Sequence, residues 1–473
     1  MTTVIRPTTP TEAVPAPVPD PAAFPPDFVW GAATAAYQIE GATTADGRAP
    51  SIWDTFSAVP GRVRGGDTGE VAVDHYRRYL EDVAVMADLG LGAYRFSLSW
   101  PRIRPYGDTR VNEPGLDFYD RLVDALLERG IEPWVTLYHW DLPDALEERG
   151  GWPARDTAFR FAELAESAAD RLGDRVRRWT TLNEPWCAAF LGYGSGIHAP
   201  GRTDPEDALA AAHHLMLGHG LAVDVLRGSR PDAEVGVTLN LYPVTPLDDR
   251  PGHRDAARRV DGLQNRWFLQ PLLAGGYPED VQADLEGVTD MGWVREGDLD
   301  VLRRPLDFLG INYYTRHVVR SGAFPGVGEV EFVDVPAVRT ANDWAVDPDG
   351  LVEVLEQAAS YTDLPLFVTE NGSAWDDRLS PTGTVEDTQR TEYLAAHLAA
   401  CQRALDRGVR LGGYFAWSLL DNFEWAEGYA VRFGLVHVDY VTQRRTVKAS
   451  GRWYADFLAA HRGAVTPSSG GAY

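Results

Sequence analysis

The sequence predicts an α/β protein built as a single-domain (β/α)8 TIM barrel, with its active site at the C-terminal ends of the strands. Eight short runs of β-branched and aromatic residues recur along the chain, and longer amphipathic segments separate most of them. Nearly every run ends in a side chain of a functional type. Alternating strands and helices are typical of a parallel sheet, and eight such units indicate a closed barrel.

The strand and helix candidates come in a regular order along the chain. The strand candidates are 30–34, 94–97, 131–138, 179–183, 235–239, 308–312, 366–369 and 414–417. The helix candidates are clearest at 74–88, 116–128, 157–172, 205–226, 350–359 and 388–406. A doubly wound open sheet is the alternative fold, but no Gly-x-Gly-x-x-Gly follows an early strand to support dinucleotide binding.

The catalytic barrel is predicted to span residues 27–464. Residues 1–26 are rich in proline, alanine and threonine and show no periodicity, which predicts a disordered leader. Residues 465–473 are mostly small and polar, which predicts a flexible tail.

Composition and charge exclude several classes of partner. The 473 residues, 44% of them hydrophobic, can bury a large core. A formal net charge of −25 argues against a nucleic-acid partner. No run approaches the ~18 to 20 consecutive apolar residues of a membrane helix, and the N-terminus lacks the order of a secretory signal. We therefore expect no membrane partner and a cytoplasmic location, while the oligomeric state stays open.

Neither a disulfide framework nor a cofactor is expected. Cys187 and Cys401 are the only cysteines, and we interpret both as reduced thiols. His213 and His214 are adjacent on a helical segment, and no His-Glu-x-x-His or similar spacing appears. A metalloenzyme is therefore not supported, and we expect no essential metal.

Two glutamates are the most informative of the side chains that follow the strands. Glu184 and Glu370 each close an apolar run, and only a fold that gathers strand ends at one face makes them neighbours. Glycosidic bonds are cleaved by such a pair of carboxyl groups. An isolated glutamate more often caps a helix or pairs with an arginine, so the prediction depends on context. Pro185 supplies part of that context, because it ends the fourth strand abruptly.

The surrounding motifs resemble those of the family 1 glycoside hydrolases. The resemblance covers roughly residues 24–460, and its blocks occur in the family's order, which makes it highly specific. The blocks are Phe-Val-Trp-Gly-Ala-Ala-Thr at 28–34, Tyr-Gln-Ile-Glu-Gly at 37–41, Tyr-Arg-Phe-Ser at 94–97, Tyr-His-Trp-Asp at 138–141, Thr-Leu-Asn-Glu-Pro at 181–185, Asn-Tyr-Tyr at 312–314, Thr-Glu-Asn-Gly at 369–372, and 417–425.

The resemblance implies a retaining, exo-acting β-glycosidase, most often a β-glucosidase, that acts on a small-molecule β-glycoside by double displacement. It makes Glu370 the nucleophile and Glu184 the acid/base, and we expect the charge of Glu370 to raise the pKa of Glu184. Arg95 is expected to hold Glu370 ionised, and Tyr314 to donate a hydrogen bond to it. Without the resemblance, Arg95 is equally consistent with an ordinary ion pair and Tyr314 with core packing.

The resemblance also implies how the sugar is bound. Trp417 is expected to form the stacking platform for the ring, and Asn183 to reach the 2-hydroxyl. Glu424 is expected to repel a phosphate on the sugar. The residues expected to bind hydroxyls are Gln38, His139, Asn183, Glu424 and Trp425.

The aglycone side is expected to be formed by loops around Trp186, Tyr193, Asn240 and Trp344. These residues do not decide whether the sugar at the non-reducing end is glucose, galactose or fucose. Three alternatives stay open: a transglycosylase, a β-galactosidase or β-fucosidase with the same site, and a non-catalytic sugar-binding relative.

Overall fold

The computed structural model describes residues 18–322 and 330–465, and its centre is a closed barrel of eight parallel strands. Each strand pairs with its neighbours in chain order, and the first strand pairs with both the second and the eighth. The predicted barrel is therefore confirmed. The strands are β1 (Val29–Ala33), β2 (Ala93–Ser97), β3 (Glu132–Tyr138), β4 (Arg178–Asn183), β5 (Glu234–Asn240), β6 (Phe308–Asn312), β7 (Leu366–Asn371) and β8 (Leu411–Trp417).

Eight main helices follow the strands. They are α1 (His75–Asp88), α2 (Glu113–Glu128), α3 (Asp156–Leu172), α4 (Pro205–Ser229), α5 (Pro251–Asp261), α6 (Pro348–Ala359), α7 (Thr388–Asp406) and α8 (Ala449–Val465). Six of them correspond to the predicted helices within three residues at each end. Helices α5 and α8 were not predicted, and on α5 only His253, Ala256 and Ala257 are buried in a largely charged segment.

Shorter elements fill the loops between strands and helices. Short helices are Ala36–Ile39, Ile52–Ser57, Trp100–Ile103, Asp144–Glu147, Trp267–Leu269, Glu279–Leu285 and Asp298–Leu302, with π-helical turns at Cys187–Gly194, Gly262–Arg266 and Gln270–Ala274. The 3-10 turns are Pro21–Ala23, Ala45–Gly47, Arg64–Gly66 and Trp425–Glu427. A small three-stranded sheet consists of Val244–Pro246, His317–Ser321 and Val330–Phe332, and a hairpin pairs Val436–Val438 with Arg445–Val447.

A cluster of four aromatic rings fills the interior of the barrel. Trp134 lies 4.9 to 5.3 Å, centroid to centroid, from the rings of Phe308, Phe367 and Phe415. The close approach of Phe415 requires a glycine at position 31, since a Cβ there would lie 2.5 Å from the ring. The barrel is thus packed rather than open, and the polar strand ends form a pocket with an apolar floor.

The predicted ends of the barrel need correction. Residues 1–17 of the predicted leader lie outside the described residues, but Pro21–Ala23 form a helical turn and Phe24 is buried. The Phe24 ring contacts Phe28, Trp30 and Phe457. Because the segment is rich in proline, the buried position of Phe24 was not predicted from the sequence. At the other end, Val465 is the last residue of α8, and residues 466–473 lie outside the described part.

Among the described residues, helix α4 is by length and composition apolar enough to cross a membrane. Of the residues in its most apolar 18-residue window, 83% are buried inside the protein. Burial against α3 and the barrel therefore accounts for its apolar composition, as in the core helix of a globular domain.

Candidate active site

A cavity of about 310 Å³ lies at the C-terminal ends of the strands. It contains both predicted catalytic glutamates, although they come from β7 and from the residue after β4. Its lining residues are His139, Trp140, Glu184, Trp186, Cys187, Leu191, Ile197, His198, Tyr242, Tyr314, Asn342, Trp344, Glu370, Trp417, Glu424, Trp425, Ala426, Glu427 and Phe433.

Glu370 is held by donors at both carboxyl oxygens. Arg95 Nη1 donates to Oε1 at 2.6 Å, and the Tyr314 hydroxyl donates to Oε2 at 2.7 Å. The pKa of Glu370 is raised overall, because the effect of burial exceeds the lowering by Arg95 and Tyr314. Burial and the neighbouring carboxylates also raise the pKa of Tyr314 well above its ordinary value, so its hydroxyl stays a donor. These contacts favour the anion at Glu370, and a buried anion aligned by two donors is suited to nucleophilic attack.

The partners of Glu184 carry no charge. Asn312 Nδ2 donates to its Oε1 at 2.7 Å, and the Cys187 thiol is within hydrogen-bonding reach of the same carboxyl group. Asn240 Nδ2 in turn donates to the Cys187 sulfur at 3.4 Å. Glu184 has φ of 47°, a left-handed conformation that is uncommon for glutamate. The turn that follows β4 therefore holds this side chain in a specific orientation in the cavity.

Burial raises the pKa of Glu184 to about 8, and the negative charge of Glu370 is the second cause. Only the charge of Glu370 was predicted as a cause from the sequence, so the larger effect of burial was missed. Glu184 therefore carries a proton at neutral pH, whereas the donors around Glu370 favour its ionised form. Two carboxyl groups whose environments differ in this way can divide the roles of proton donor and nucleophile.

The remaining predicted polar residues form two groups beside the glutamates. Arg95 Nη2 donates to Asn183 Oδ1 at 2.6 Å, and the Asn183 amide contacts His139 Nε2 at 3.0 Å. Burial lowers the pKa of His139 well below its ordinary value, so the ring is neutral. Its buried Nδ1 has no hydrogen-bond partner among the described residues, which leaves it available to a ligand hydroxyl.

Gln38 and Glu424 form the second group. Gln38 Nε2 donates to Glu424 Oε2 at 3.1 Å, and the buried Gln38 Oε1 has no partner among the described residues. Burial, followed by the charge of Glu370, raises the pKa of Glu424 to about 8. In the free site Glu424 is therefore largely protonated at neutral pH, and the expected repulsion of a phosphate is weaker than a full negative charge would give.

Trp417 and Trp425 lie in an aromatic wall beside these groups. The His139 ring is stacked 5.9 Å from Trp417 and 5.8 Å from Trp425, at interplanar angles of 24°. Trp140 lies 4.6 Å from Trp425 and donates through Nε1 to the Asn183 carbonyl at 2.9 Å. An aromatic surface next to unpaired polar atoms suits a sugar ring, which presents C–H faces and hydroxyl edges.

Loops around the four positions predicted for the aglycone side all reach the cavity, through Trp186, Leu191 and His198, Tyr242, and Trp344. Trp186 and Trp344 line the cavity, but Tyr193 does not. Its buried hydroxyl donates to Glu147 at 2.6 Å, so Tyr193 has a packing role. Asn240 does not line the cavity either, but its side chain donates to Cys187, which does. Cys187, Asn312, Tyr242 and His198 were given no role from the sequence, although Asn312 stands in a block that had been singled out.

The two adjacent histidines on α4 have structural partners. His213 contacts the Tyr277 hydroxyl at 2.8 Å and Asp298 at 3.0 Å, and His214 contacts the Trp152 carbonyl at 3.0 Å. Within residues 18–322 and 330–465, no group of three or more His, Cys, Asp or Glu is arranged to hold a metal ion. A function without metal or cofactor stays a prediction.

Comparison with known proteins agrees with this arrangement. The family model described as glycosyl hydrolase family 1 matches residues 20–463. β-Glucosidase A of Thermotoga maritima is 46% identical, over 92% of this chain and 97% of that protein. A bifunctional β-D-glucosidase/β-D-fucosidase of Bifidobacterium breve is 47% identical, over 93% and 98%. A psychrophilic β-glucosidase from Micrococcus antarcticus is 49% identical in sequence. Its crystal structure aligns with a TM-score of 0.91 over 93% of this chain and 98% of that chain.

The match with the family model extends over nearly the whole described barrel, and the two glutamates predicted to cleave a glycosidic bond line one cavity. The chain is therefore a glycoside hydrolase that belongs to glycosyl hydrolase family 1.

Proposed function

We propose that this protein is a retaining, exo-acting β-glucosidase that removes terminal β-D-glucosyl residues by double displacement. The observation that carries the proposal is the unequal setting of two buried glutamates in one cavity. Arg95 and Tyr314 donate to Glu370 and favour its anion, and the pKa of Glu184 is raised to about 8. The relatives named β-glucosidase support the choice of glucose, and the Bifidobacterium breve enzyme supports fucose as a second glycone.

The proposed reaction has two steps. Glu370 attacks the anomeric carbon as the bond to the leaving oxygen breaks, and the Glu184 proton passes to that oxygen. Glycosylation removes the charge of Glu370, which lowers the pKa of Glu184. The Glu184 carboxylate then takes a proton from water as the water oxygen attacks the same carbon and releases Glu370. Two inversions at one carbon retain the β configuration.

The cavity lining supports an unphosphorylated sugar. Among the described residues that line it there is no lysine or arginine, whereas four glutamates, Glu184, Glu370, Glu424 and Glu427, lie there, the first two of them buried. A phosphate dianion would find no charge partner in the lining, and it would raise the cost of ionising Glu370. The lack of a cationic partner, more than the charge of Glu424, therefore disfavours a phosphorylated sugar.

The test of this proposal is a comparison of p-nitrophenyl β-glycosides that differ only in the sugar. We expect kcat/KM to be highest for glucoside or for both glucoside and fucoside, and activity on the 6-phosphoglucoside to be absent. Proton NMR should show β-glucose as the first product. A first product in the α configuration, or no hydrolysis of any β-glycoside, would refute the proposal. Adding an alcohol distinguishes hydrolysis from transglycosylation, because a transferase yields the alkyl glucoside as its main product.

The pH dependence of kcat/KM for the glucoside is expected to be bell-shaped, with its basic limb near pH 8. Glu184 must be protonated to act as the acid, so activity falls as pH rises through its pKa of about 8. The acid limb has the opposite sign, since Glu370 must be ionised and activity falls as pH decreases. The measurement is kcat/KM at substrate concentrations well below KM across the pH range.

Variants of Cys187 give a control for the assignment of the basic limb. Its thiol lowers the pKa of Glu184 by donating to the ionised form. Cys187→Ala is expected to move the basic limb to higher pH, and Cys187→Ser, which supplies a stronger donor, to lower pH. A limb that stays in place in both variants would mean that another group titrates there.

A further inference from the structure

Among the 44 basic residues of the chain, Lys448 is the only lysine. It directly precedes α8, and its side chain is completely buried. The ammonium contacts Asp377 Oδ2 at 2.5 Å and Asp421 Oδ1 at 2.6 Å. An ammonium is a compact charge, whereas a guanidinium is larger and planar. Lys448 therefore occupies a closed space between two carboxylates, which favours lysine over the arginine used elsewhere in the chain.

The two carboxylates belong to two different loops at the active-site end of the barrel. The β7 loop, residues 372–387, begins just after Glu370, and it carries Asp377. The β8 loop, residues 418–435, begins just after Trp417, and it carries both Asp421 and Glu424. From a third segment, Lys448 thus joins the loop that follows the nucleophile to the loop that carries residues of the sugar side.

Asp421 in turn holds the β8 loop together. Its Oδ2 accepts a hydrogen bond from Arg432 Nη1 at 2.6 Å, and its Oδ1 accepts one from the Gly434 backbone N–H at 3.0 Å. Burial raises the pKa of Asp421, but the charges of Lys448 and Arg432 lower it more, so the net shift is downward. The ionised carboxylate of Asp421 is therefore the point at which Lys448 fixes this loop.

The residues that follow Asp421 connect it to the sugar side of the catalytic cavity. Gln38 Nε2 lies 3.0 Å from Asn422 Oδ1, 2.9 Å from the Phe423 carbonyl oxygen and 3.1 Å from Glu424 Oε2. One amide nitrogen, with two hydrogens, is thus shared among three acceptors of the β8 loop. The orientations of Gln38 and Glu424 therefore depend on where the β8 loop lies.

We propose that Lys448 is a positioning residue for sugar binding, because its ammonium fixes the β8 loop against the β7 loop and so aligns Gln38 and Glu424 with the sugar. Lys448 is not among the described residues that line the catalytic cavity, so it acts through Asp421. Arg390 also links the two loops, since it donates to Asp377 at 2.7 Å and to the Arg432 carbonyl at 2.6 Å. That link meets the β8 loop beyond Glu424 in the chain, whereas Lys448 meets it between Trp417 and Glu424.

The first test is Lys448→Met, which keeps an unbranched side chain and removes the charge. The fold should persist, because Asp377 still pairs with Arg390 and Asp421 with Arg432. We expect the inhibition constant of glucose and KM for p-nitrophenyl β-glucoside to rise together by about tenfold, roughly the worth of one hydrogen bond. A loss of sugar binding alone leaves kcat nearly unchanged. The basic limb near pH 8 should also stay in place, since Lys448 contacts neither Glu184 nor its partners.

Two further variants separate the link between the loops from the buried charge. Lys448→Met combined with Asp377→Asn removes one cation and one anion, so the buried charge stays balanced, and the inhibition constant of glucose should rise as in Lys448→Met. Asp377→Asn alone is the mildest change, because Lys448 and Asp421 remain paired while the carboxylate of the β7 loop is lost. We expect it to raise the inhibition constant by about threefold.

The matched control is Arg445→Met, on the same segment of the chain. Arg445 is as deeply buried as Lys448, and its Nε donates to Asp82 Oδ1 on α1 at 2.8 Å. Its side chain contacts neither the β7 loop nor the β8 loop. Thermal unfolding should show a lower Tm in this control and in Lys448→Met, because each loses a buried ion pair. The inhibition constant of glucose should rise only in the Lys448 and Asp377 variants.

The inference rests on the proposed function for the choice of glucose as the ligand. It is overturned if any folded variant of Lys448 or Asp377 binds glucose as wild type does. It is also overturned if Arg445→Met weakens glucose binding equally, or if kcat falls while the inhibition constant stays the same. A wild-type protein that neither hydrolyses p-nitrophenyl β-glucoside nor is inhibited by glucose would instead refute the proposed function itself.

Discussion

Replacing Glu370 by glycine is expected to lower kcat on p-nitrophenyl β-glucoside by a factor on the order of 10⁵. The variant loses the group that forms the covalent intermediate, and Arg95 and Tyr314 then face an empty space instead of the carboxylate they align. The fold should persist, because Glu370 stands at the end of β7 and contributes no apolar packing. Circular dichroism and thermal unfolding check that point.

Azide provides the diagnostic part of this experiment. A small anion can occupy the space left by Glu370 and attack the anomeric carbon from the face opposite the leaving group. With an activated substrate such as 2,4-dinitrophenyl β-glucoside, we expect rescue of the rate and α-glucosyl azide as the product. Absence of rescue together with near wild-type hydrolysis would assign the nucleophile to another residue.

Replacing Glu184 by alanine is expected to lower kcat/KM by about 10³-fold for alkyl β-glucosides and much less for 2,4-dinitrophenyl β-glucoside. A poor leaving group needs the proton of Glu184, whereas dinitrophenolate departs without one. The basic limb near pH 8 should also disappear from the profile of this variant, since the group that titrates there is gone.

The azide product distinguishes the two glutamates. In Glu184→Ala the glycosyl-enzyme on Glu370 still forms, and azide then attacks from the face that water normally uses. The expected product is β-glucosyl azide, the opposite anomer from that of Glu370→Gly. Glu184→Gln is the matched control of similar size, because it keeps the contact with Asn312 but cannot give up a proton in the first step. The same anomer from both variants would contradict the assignment of roles.

The eight strands and the ends at which the polar residues fall could be predicted from the sequence. Both are local properties, because each strand is a short apolar run and its functional side chain follows directly in the chain. Glu184, Glu370 and His139 were predicted in this way, and all three line one cavity. Helix α5 was missed because its apolar stripe is short, and Phe24 because prolines surround it.

Contacts between distant parts of the chain could not be predicted from spacing alone. Arg95 and Glu370 are 275 residues apart, and the resemblance to a family suggested their contact before the structure placed it at 2.6 Å. No local pattern distinguished Cys187, which reaches Glu184 and is itself contacted by Asn240 from β5. The contact of Tyr193 with Glu147, on the short helix Asp144–Glu147, could not be predicted for the same reason. The cytoplasmic location and the absence of a cofactor remain predictions.

The sequence by itself determined the barrel, the family resemblance and the two glutamates, because hydrophobic periodicity and short motifs are written in consecutive residues. The tertiary structure alone decided how the glutamates differ. Burial, more than the charge of Glu370, raises the pKa of Glu184, and Arg95 and Tyr314 favour the anion at Glu370. The pKa of a carboxyl group depends on desolvation and on charges within a few ångströms, and both depend on which distant segments the fold brings together.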